Sequence, residues 1–282
     1  MTGMDEHFRA FSFVDRITTV PPGPHVRGEY TIPADVENFS RTLVAEAVGQ
    51  LAAWAGMAAL DFQRRPVAGL VGRVEFLAPV RPGQRLDLFV DLETVEADAV
   101  AYGGGAAIGG VPVIRLEHCV GPMLLVADFD DPAAVRARFA LLCGAGAAPG
   151  AFRGLPTFAP QTTAGEPGQW LRATLPVPAN AVFFADHFPR RHVFPGTLLL
   201  EANLRLVAAL ARELPAPPGH AWKLQSVTDV KLRAFTPPGE TLELEARLER
   251  RAETDAHFLL EMRKGLRPVG GARARLTLEK GA

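Results

Sequence analysis

Cysteine is scarce. The 282-residue chain has two, Cys119 and Cys143, too few for a disulfide framework or a four-cysteine zinc site. Five histidines (His7, His25, His118, His220 and His257) are scattered without metal-ligand spacing. An excess of one charge is also missing. Thirty basic and 31 acidic residues leave a net charge of −1, so no overall field attracts nucleic acid or an anionic membrane. Long uncharged apolar runs are absent too. The longest apolar stretch, Leu43–Leu60, carries Glu46 and Gln50, which a membrane span tolerates poorly. The N-terminal MTGMDEHFRAFSF has charges where a signal peptide needs an apolar run. Gly103-Gly104-Gly105 follows no strand-to-helix pattern, so it reads as a strand turn or bulge, not a nucleotide loop. What remains is a soluble, cytoplasmic chain, 48% hydrophobic, with material for a sizeable core.

What is present is a repeat. VEFLAPVRPGQRLDLFVDL (Val74–Leu92) and VKLRAFTPPGETLELEARL (Val230–Leu248) both read as strand, Pro-Gly, strand. Pro82-Gly83 meets Pro238-Gly239 at an offset of 156, as Gly109 meets Gly265 and Pro112 meets Pro268. Upstream, Glu46-Ala47 meets Glu201-Ala202 at an offset of 155. Each copy has one long apolar helix, about Ser40–Phe62 and Thr197–Leu214, followed by strands. Strands are expected at Val74–Ala78, Leu86–Leu92, Val111–Glu117 and Met123–Asp128, then at Val227–Ala234, Leu242–Leu248, Phe258–Met262 and Ala272–Leu278. A short surface helix is expected at Asp131–Leu142, and Cys143–Pro160, dense in Gly, Ala and Pro, reads as a connector. The fold class is α+β, an antiparallel sheet wrapping one buried helix, twice over.

The chemistry concentrates in Asp186-His187-Phe188-Pro189-Arg190-Arg191-His192-Val193-Phe194-Pro195-Gly196 and the helix that follows. His187 can exchange a proton near neutral pH. The helix N-terminus at Gly196 offers unpaired backbone N–H groups that can polarise a carbonyl, and glycine permits close approach. An acid among apolar side chains suits proton donation. Together these suit proton abstraction beside a carbonyl with loss of a neighbouring hydroxyl. Arg190 and Arg191, beside the loop, are candidates for a phosphate or an acidic partner. His192 reads as a loop or packing residue. Glu201 has Arg205 four residues on, a favourable ion pair; Glu46 has Gln50 there instead, which leaves its acid without a structural use.

The loop resembles that of the bacterial 3-hydroxyacyl-ACP dehydratases of the FabA/FabZ type, H-F-P-G-x-P-x-x-P-G with an acid 14 residues after the histidine. His187 and Glu201 have that spacing. Phe11-Ser12-Phe13-Val14-Asp15-Arg16 is similar to the family's F-x-x-V-D-R phrase, and Val230–Leu248 to its V-x-F-x-x-P-V-x-P-G-D-x-L. Arg190 replaces the family's glycine and His192 a proline, which bears on substrate scope. The resemblance implies a double hotdog: a first unit over 1–130 lacking the catalytic histidine, a short helix and linker over 131–158, and a second unit over 159–282. The first copy lacks about the ten residues that carry the histidine, yet Glu46-Ala47-Val48-Gly49-Gln50 looks like the family's E-A-x-x-Q helix.

In that family the histidine and the acid come from opposite hotdogs. The resemblance therefore implies His187 as base and Glu46 as acid, with Gln50 holding the carboxylate and the Gly196 N–H polarising the thioester; Glu201 stays open as the alternative acid. Phe188, Val193, Phe194 and Pro195 join Gln50, Arg190 and Arg191 as expected substrate-binding residues. The implied enzyme is a hydro-lyase forming trans-2-enoyl thioesters. It needs no metal or other cofactor, takes its substrate on the phosphopantetheine of acyl carrier protein or CoA, and serves fatty acid or polyketide-type biosynthesis. Acyl carrier protein is the expected partner, and the chain a monomeric pseudo-dimer or a homodimer of double hotdogs. Two other readings stay open: a hotdog acyl thioesterase and a non-catalytic acyl-carrier-binding subunit.

Overall fold

The computed structural model describes residues 10–19, 23–37, 39–148, 152–155 and 158–280. His7, most of the N-terminal stretch and parts of the connector fall outside them. The first copy contributes β1 (Arg16–Ile17), β2 (His25–Thr31), α1 (Arg41–Ala59), β3 (Arg64–Pro66), β4 (Leu70–Phe76), β5 (Arg85–Val95), β6 (Ala99–Ile108) and β7 (Val111–Leu125). After α2 (Pro132–Cys143) come β8 (Gln161–Glu166), β9 (Trp170–Pro176), α3 (Gly196–Arg212), β10 (His220–Leu232), β11 (Thr241–Arg251), β12 (Asp255–Lys264) and β13 (Arg267–Lys280). The sheet is antiparallel, in the order β1-β2-β5-β6-β7-β4-β10-β13-β12-β11-β9-β8, with β3 on β7.

That order reads alike from the centre outwards in both directions. From the β4–β10 pair, one arm runs β7, β6, β5, β2 and the other β13, β12, β11, β9. The fold is a double hotdog with a pseudo-two-fold axis near Val74 and Val227, which pair across the junction. Strands alternate inward and outward: Leu242, Leu244 and Ala246 are buried on β11, and Ala256, Phe258, Leu260 and Met262 on β12. The inward residues pack on the helices. α1 has few polar residues and buries eleven of its 19, while α3 is more amphipathic and buries ten of 17. The Pro-Gly pairs that revealed the repeat are the turns that carry the chain from β4 to β5 and from β10 to β11, strands that are not neighbours in the sheet, with φ of 82° at Gly83 and 76° at Gly239.

Some expectations change. Val111–Glu117 and Met123–Leu125 are not two strands but parts of the single 15-residue β7, and Val126–Asp128 turns out of it as a short 3-10 helix. The strand carries the irregular residue His118 at φ 54° and runs on through Gly121-Pro122. Gly103–Gly105 lies inside β6, at a register shift between Tyr102 and Gly104, where bare backbone allows the neighbouring strands to approach. The helix expected at Asp131–Leu142 forms as α2, with the Asp131 side chain accepting from the Ala133 N–H and Pro132 in its first turn. No helix among the described residues is long and apolar enough to cross a membrane.

Candidate active site

The two copies differ most between the first strand of each arm and its helix. The chain passes from Thr31 to Arg41 in one and from Pro176 to Gly196 in the other, and the extra ten residues are a loop anchored by the buried Phe183 and Phe184. Asp186 ties this loop to the first copy. Its Oδ2 accepts the backbone N–H of Ala10 (2.7 Å) and of Phe11 (2.6 Å). Gln50 of α1 grips the same segment, accepting from Phe13 N–H at 2.8 Å and donating to the Phe11 carbonyl at 2.9 Å. The Phe11 ring therefore stands edge-on to the His187 ring, 5.7 Å between centroids.

His187 is fixed by its own loop. Nδ1 lies 2.8 Å from the Val193 carbonyl oxygen. A carbonyl only accepts, so Nδ1 carries the proton and Nε2 keeps a free lone pair. The Val193 N–H returns a bond to the His187 carbonyl at 2.9 Å. The ring stacks on Phe188, 4.0 Å away at 25°. Burial pushes the imidazole pKa below its ordinary 6.5; Glu46 and the Val193 carbonyl oppose the shift, and Arg65 adds to it. The ring is therefore neutral at pH 7.

Glu46, from α1 of the other copy, lines the same cavity as His187. Each carboxylate oxygen has a donor: Gln50 Nε2 at 3.0 Å to Oε1 and Thr197 Oγ1 at 2.7 Å to Oε2. Gly196 opens α3 behind Pro195, which offers no capping side chain, so first-turn N–H groups lack intrahelical partners and carry the positive end of the helix dipole. A Cβ at Gly196 would overlap Leu232 Cδ1. The cavity holds about 360 Å³ and runs between apolar walls that include Trp54, Met57 and Leu199.

Of the other expected residues, Gln50, Phe188, Val193 and Phe194 line this cavity. Pro195 stands behind the wall as the helix cap. Arg190 and Arg191 also lie off the cavity wall. Arg190 donates to the carbonyls of Phe129 (2.9 Å, from its backbone) and Ala127 (3.0 Å, from Nη1). Arg191 lies over the rings of Phe129 and Phe235. Both pin the loop to the end of the first copy. His192 stacks on Phe184, as a packing residue does.

Glu201 does not line the cavity that holds His187 and Glu46. It accepts from Thr42 Oγ1 at 2.9 Å and pairs with Arg205 at 3.9 Å, in a second, more open cavity of about 1040 Å³. Thr42–Glu201 and Thr197–Glu46 are the same contact seen from either side of the pseudo-axis. In the second cavity Arg41 occupies the position of Gly196. Its guanidinium lies 4.8 Å over the Phe76 ring and donates to the Leu224 carbonyl.

Three residues at the site were not singled out in the sequence: Thr197, which donates to Glu46, and Tyr102 and Arg65, which line the cavity. Thr197 was detectable, because the 155-residue offset aligns it with Thr42. Tyr102, on a glycine-rich strand, and Arg65, in a basic pair, carry no such signal.

Comparison with known proteins bears on the family and the fold. Residues 164–267 match the ApeI-like family, described as ApeI dehydratase. The 3-hydroxyacyl-[acyl-carrier-protein] dehydratase FabZ of Chloroflexus aggregans is 33% identical over 113 residues, covering 40% of this chain and 69% of that protein. An acyl-ACP thioesterase from Bacteroides thetaiotaomicron superposes with a TM-score of 0.54 at 12% identity, over 91% of this chain and 98% of its own. A bifunctional dehydratase-cyclase domain of ambruticin biosynthesis gives 0.50 at 16% identity, over 95% and 96%. The solved structures share the fold.

Proposed function

The chain belongs to the FabZ-type 3-hydroxyacyl-[acyl-carrier-protein] dehydratase family, and from that premise we propose that it removes water from a 3-hydroxyacyl thioester, carried on acyl carrier protein, to give the trans-2-enoyl thioester. The observation that carries this reading is the meeting of His187 and Glu46, one from each copy, on a single apolar cavity that also exposes Gly196. We take 1–130 and 159–282 as the two units and 131–158 as their connector.

In this reading His187 Nε2 takes the Cα proton. The electron pair left behind forms the Cα–Cβ double bond as the Cβ–O bond breaks. Glu46 gives its proton to the departing hydroxyl, which leaves as water. The Gly196 N–H steadies the thioester oxygen as negative charge builds on it. Proton return from the imidazolium to Glu46 resets the site. These steps are proton transfers, and the chemistry of the family needs no cofactor. Gln50 and Thr197 orient the Glu46 carboxyl towards the cavity, so its aim does not depend on solvent.

The test uses the reverse reaction. Wild type should hydrate a crotonyl thioester, read as loss of enoyl absorbance. His187→Ala should lower the rate by at least about a hundredfold, the usual worth of a positioned base. Undiminished hydration by that variant, or release of free thiol instead of hydration, defeats the assignment.

A further inference from the structure

The second cavity is the counterpart of the catalytic one across the pseudo-axis. It has no histidine loop over it, and it has not filled in. Its volume of about 1040 Å³ is on the scale of ligand pockets, roughly 300–1,000 Å³. It follows one face of α3, from Glu201 through Leu204, Ala208 and Ala211 to Arg212, about 16 Å by the helix rise. Beyond Arg205 that face is apolar, and Phe76, Trp222 and Leu276 add to the same lining.

Four cations, two acids and His220 border this space. Both acids are already paired. Glu201 pairs with Arg205 and accepts from Thr42. Glu279 pairs with Lys223 at 3.2 Å and accepts from Gln225. Arg41 and Arg212 are left without a carboxylate at ion-pair distance among the described residues. Arg212 is exposed in the last turn of α3, where it complements the helix dipole. His220 is exposed and bonds to the Pro218 carbonyl. Arg41 is different, because it is half-buried and held in place. Its guanidinium lies over Phe76, and Nη1 donates to the Leu224 carbonyl at 3.3 Å. Its other N–H groups have no protein partner and keep contact with solvent, so a ligand in the cavity can reach them. Burial lowers the Arg41 pKa, while Glu201 and Glu279 support the charge from a distance; a guanidinium keeps that charge at neutral pH.

The catalytic cavity has the bare Gly196 N–H where this one has Arg41, and a single N–H suits a neutral carbonyl. A fixed positive charge with a planar fork of donors suits a carboxylate instead. The apolar face of α3 beside it suits a hydrocarbon chain. We propose that the second cavity is a binding site for a long-chain carboxylate, its head group on the Arg41 guanidinium and its chain along α3. The proposal concerns the other cavity and does not depend on the dehydratase reading.

The test is binding to the full chain, with decanoate and decanol as probes in titration calorimetry. Wild type should bind decanoate at least about tenfold more tightly than decanol, the scale of a hydrogen bond to a charged donor. Arg41→Gln should remove that difference by weakening decanoate alone, and Ala208→Trp, which fills the path along α3, should weaken both. Location is read separately with 10-bromodecanoate, whose bromine quenches a nearby indole. Trp222 lines the second cavity and Trp54 the catalytic one. Quenching should disappear in Trp222→Phe and persist in Trp54→Phe. The opposite pattern would seat the acid in the catalytic cavity and overturn the proposal, and quenching that survives in both variants would do the same. Equal affinity for acid and alcohol, or no saturable binding of decanoate, also overturns it. The quenching pattern and the wild-type ratio decide even if Arg41→Gln folds poorly.

Discussion

At the scale of single residues, the proposed chemistry rests on one backbone carbonyl that decides the tautomer of His187. With Nδ1 committed to Val193, Nε2 has nothing to do but accept a proton. Burial reinforces this by keeping the ring neutral. The sign is clear: the active form of a base is the unprotonated one, and a pKa below 6.5 moves its loss to lower pH. We therefore expect the acid limb of the kcat/KM profile to break below pH 6.5, and the His187 ring-proton resonance to titrate at the same point. A break at or above pH 6.5 would mean that the ring is not held in the dry environment described here. The same depression affects folding. Below pH 6.5 the unfolded chain binds the proton more readily than the folded one, so this histidine's contribution to stability declines as pH falls towards its folded pKa.

At the scale of elements, the first turn of α3 does the positioning. Thr197 reaches the acid of the opposite copy and Gly196 presents a bare N–H, while Leu232 fills the space that a side chain at 196 would take. Gly196→Ala should thus push the helix start or Leu232 aside, costing about 1–3 kcal/mol as overpacking does and cutting kcat by more than the loss of folded protein explains. Adding Leu232→Ala should recover part of both in a double-mutant cycle, read by thermal unfolding and by kcat; strict additivity would show that the two do not compete for that space. Much at this scale was legible beforehand. The Pro-Gly offset located the β4–β5 and β10–β11 turns, and apolar periodicity located α1 and α3 to within about three residues at each end. Strands β1, β2, β3, β6, β8 and β9 were not legible. β6 is built on glycines, and β8 is exposed along its length, so neither shows the hydrophobic alternation that marks a half-buried strand. Arg65 was illegible for a different reason: only the return of β3 onto β7 places that side chain against Phe188.

At the scale of the whole molecule, the repeat places two corresponding Thr–Glu contacts about one pseudo-axis, and a histidine beside one of them. The contact of a helix-start threonine with the acid of the other helix survives on both sides, which shows how closely the pseudo-axis is kept. The surrounding positions have diverged. Gly196 and Gln50 on one side correspond to Arg41 and Arg205 on the other, and the histidine loop has no counterpart. The two acids should therefore respond differently to the same change. Glu46→Gln should lower kcat by about a hundredfold to ten-thousandfold, the range for loss of a positioned proton donor, with unfolding little altered. Glu201→Gln removes a partly exposed ion pair, worth at most about 1 kcal/mol, and should leave kcat within about twofold. Parallel assays of crotonyl thioester hydration decide it. Equal losses would mean that both halves of the axis are chemically live, and a loss confined to Glu201→Gln would move the acid to the helix that already carries the histidine loop.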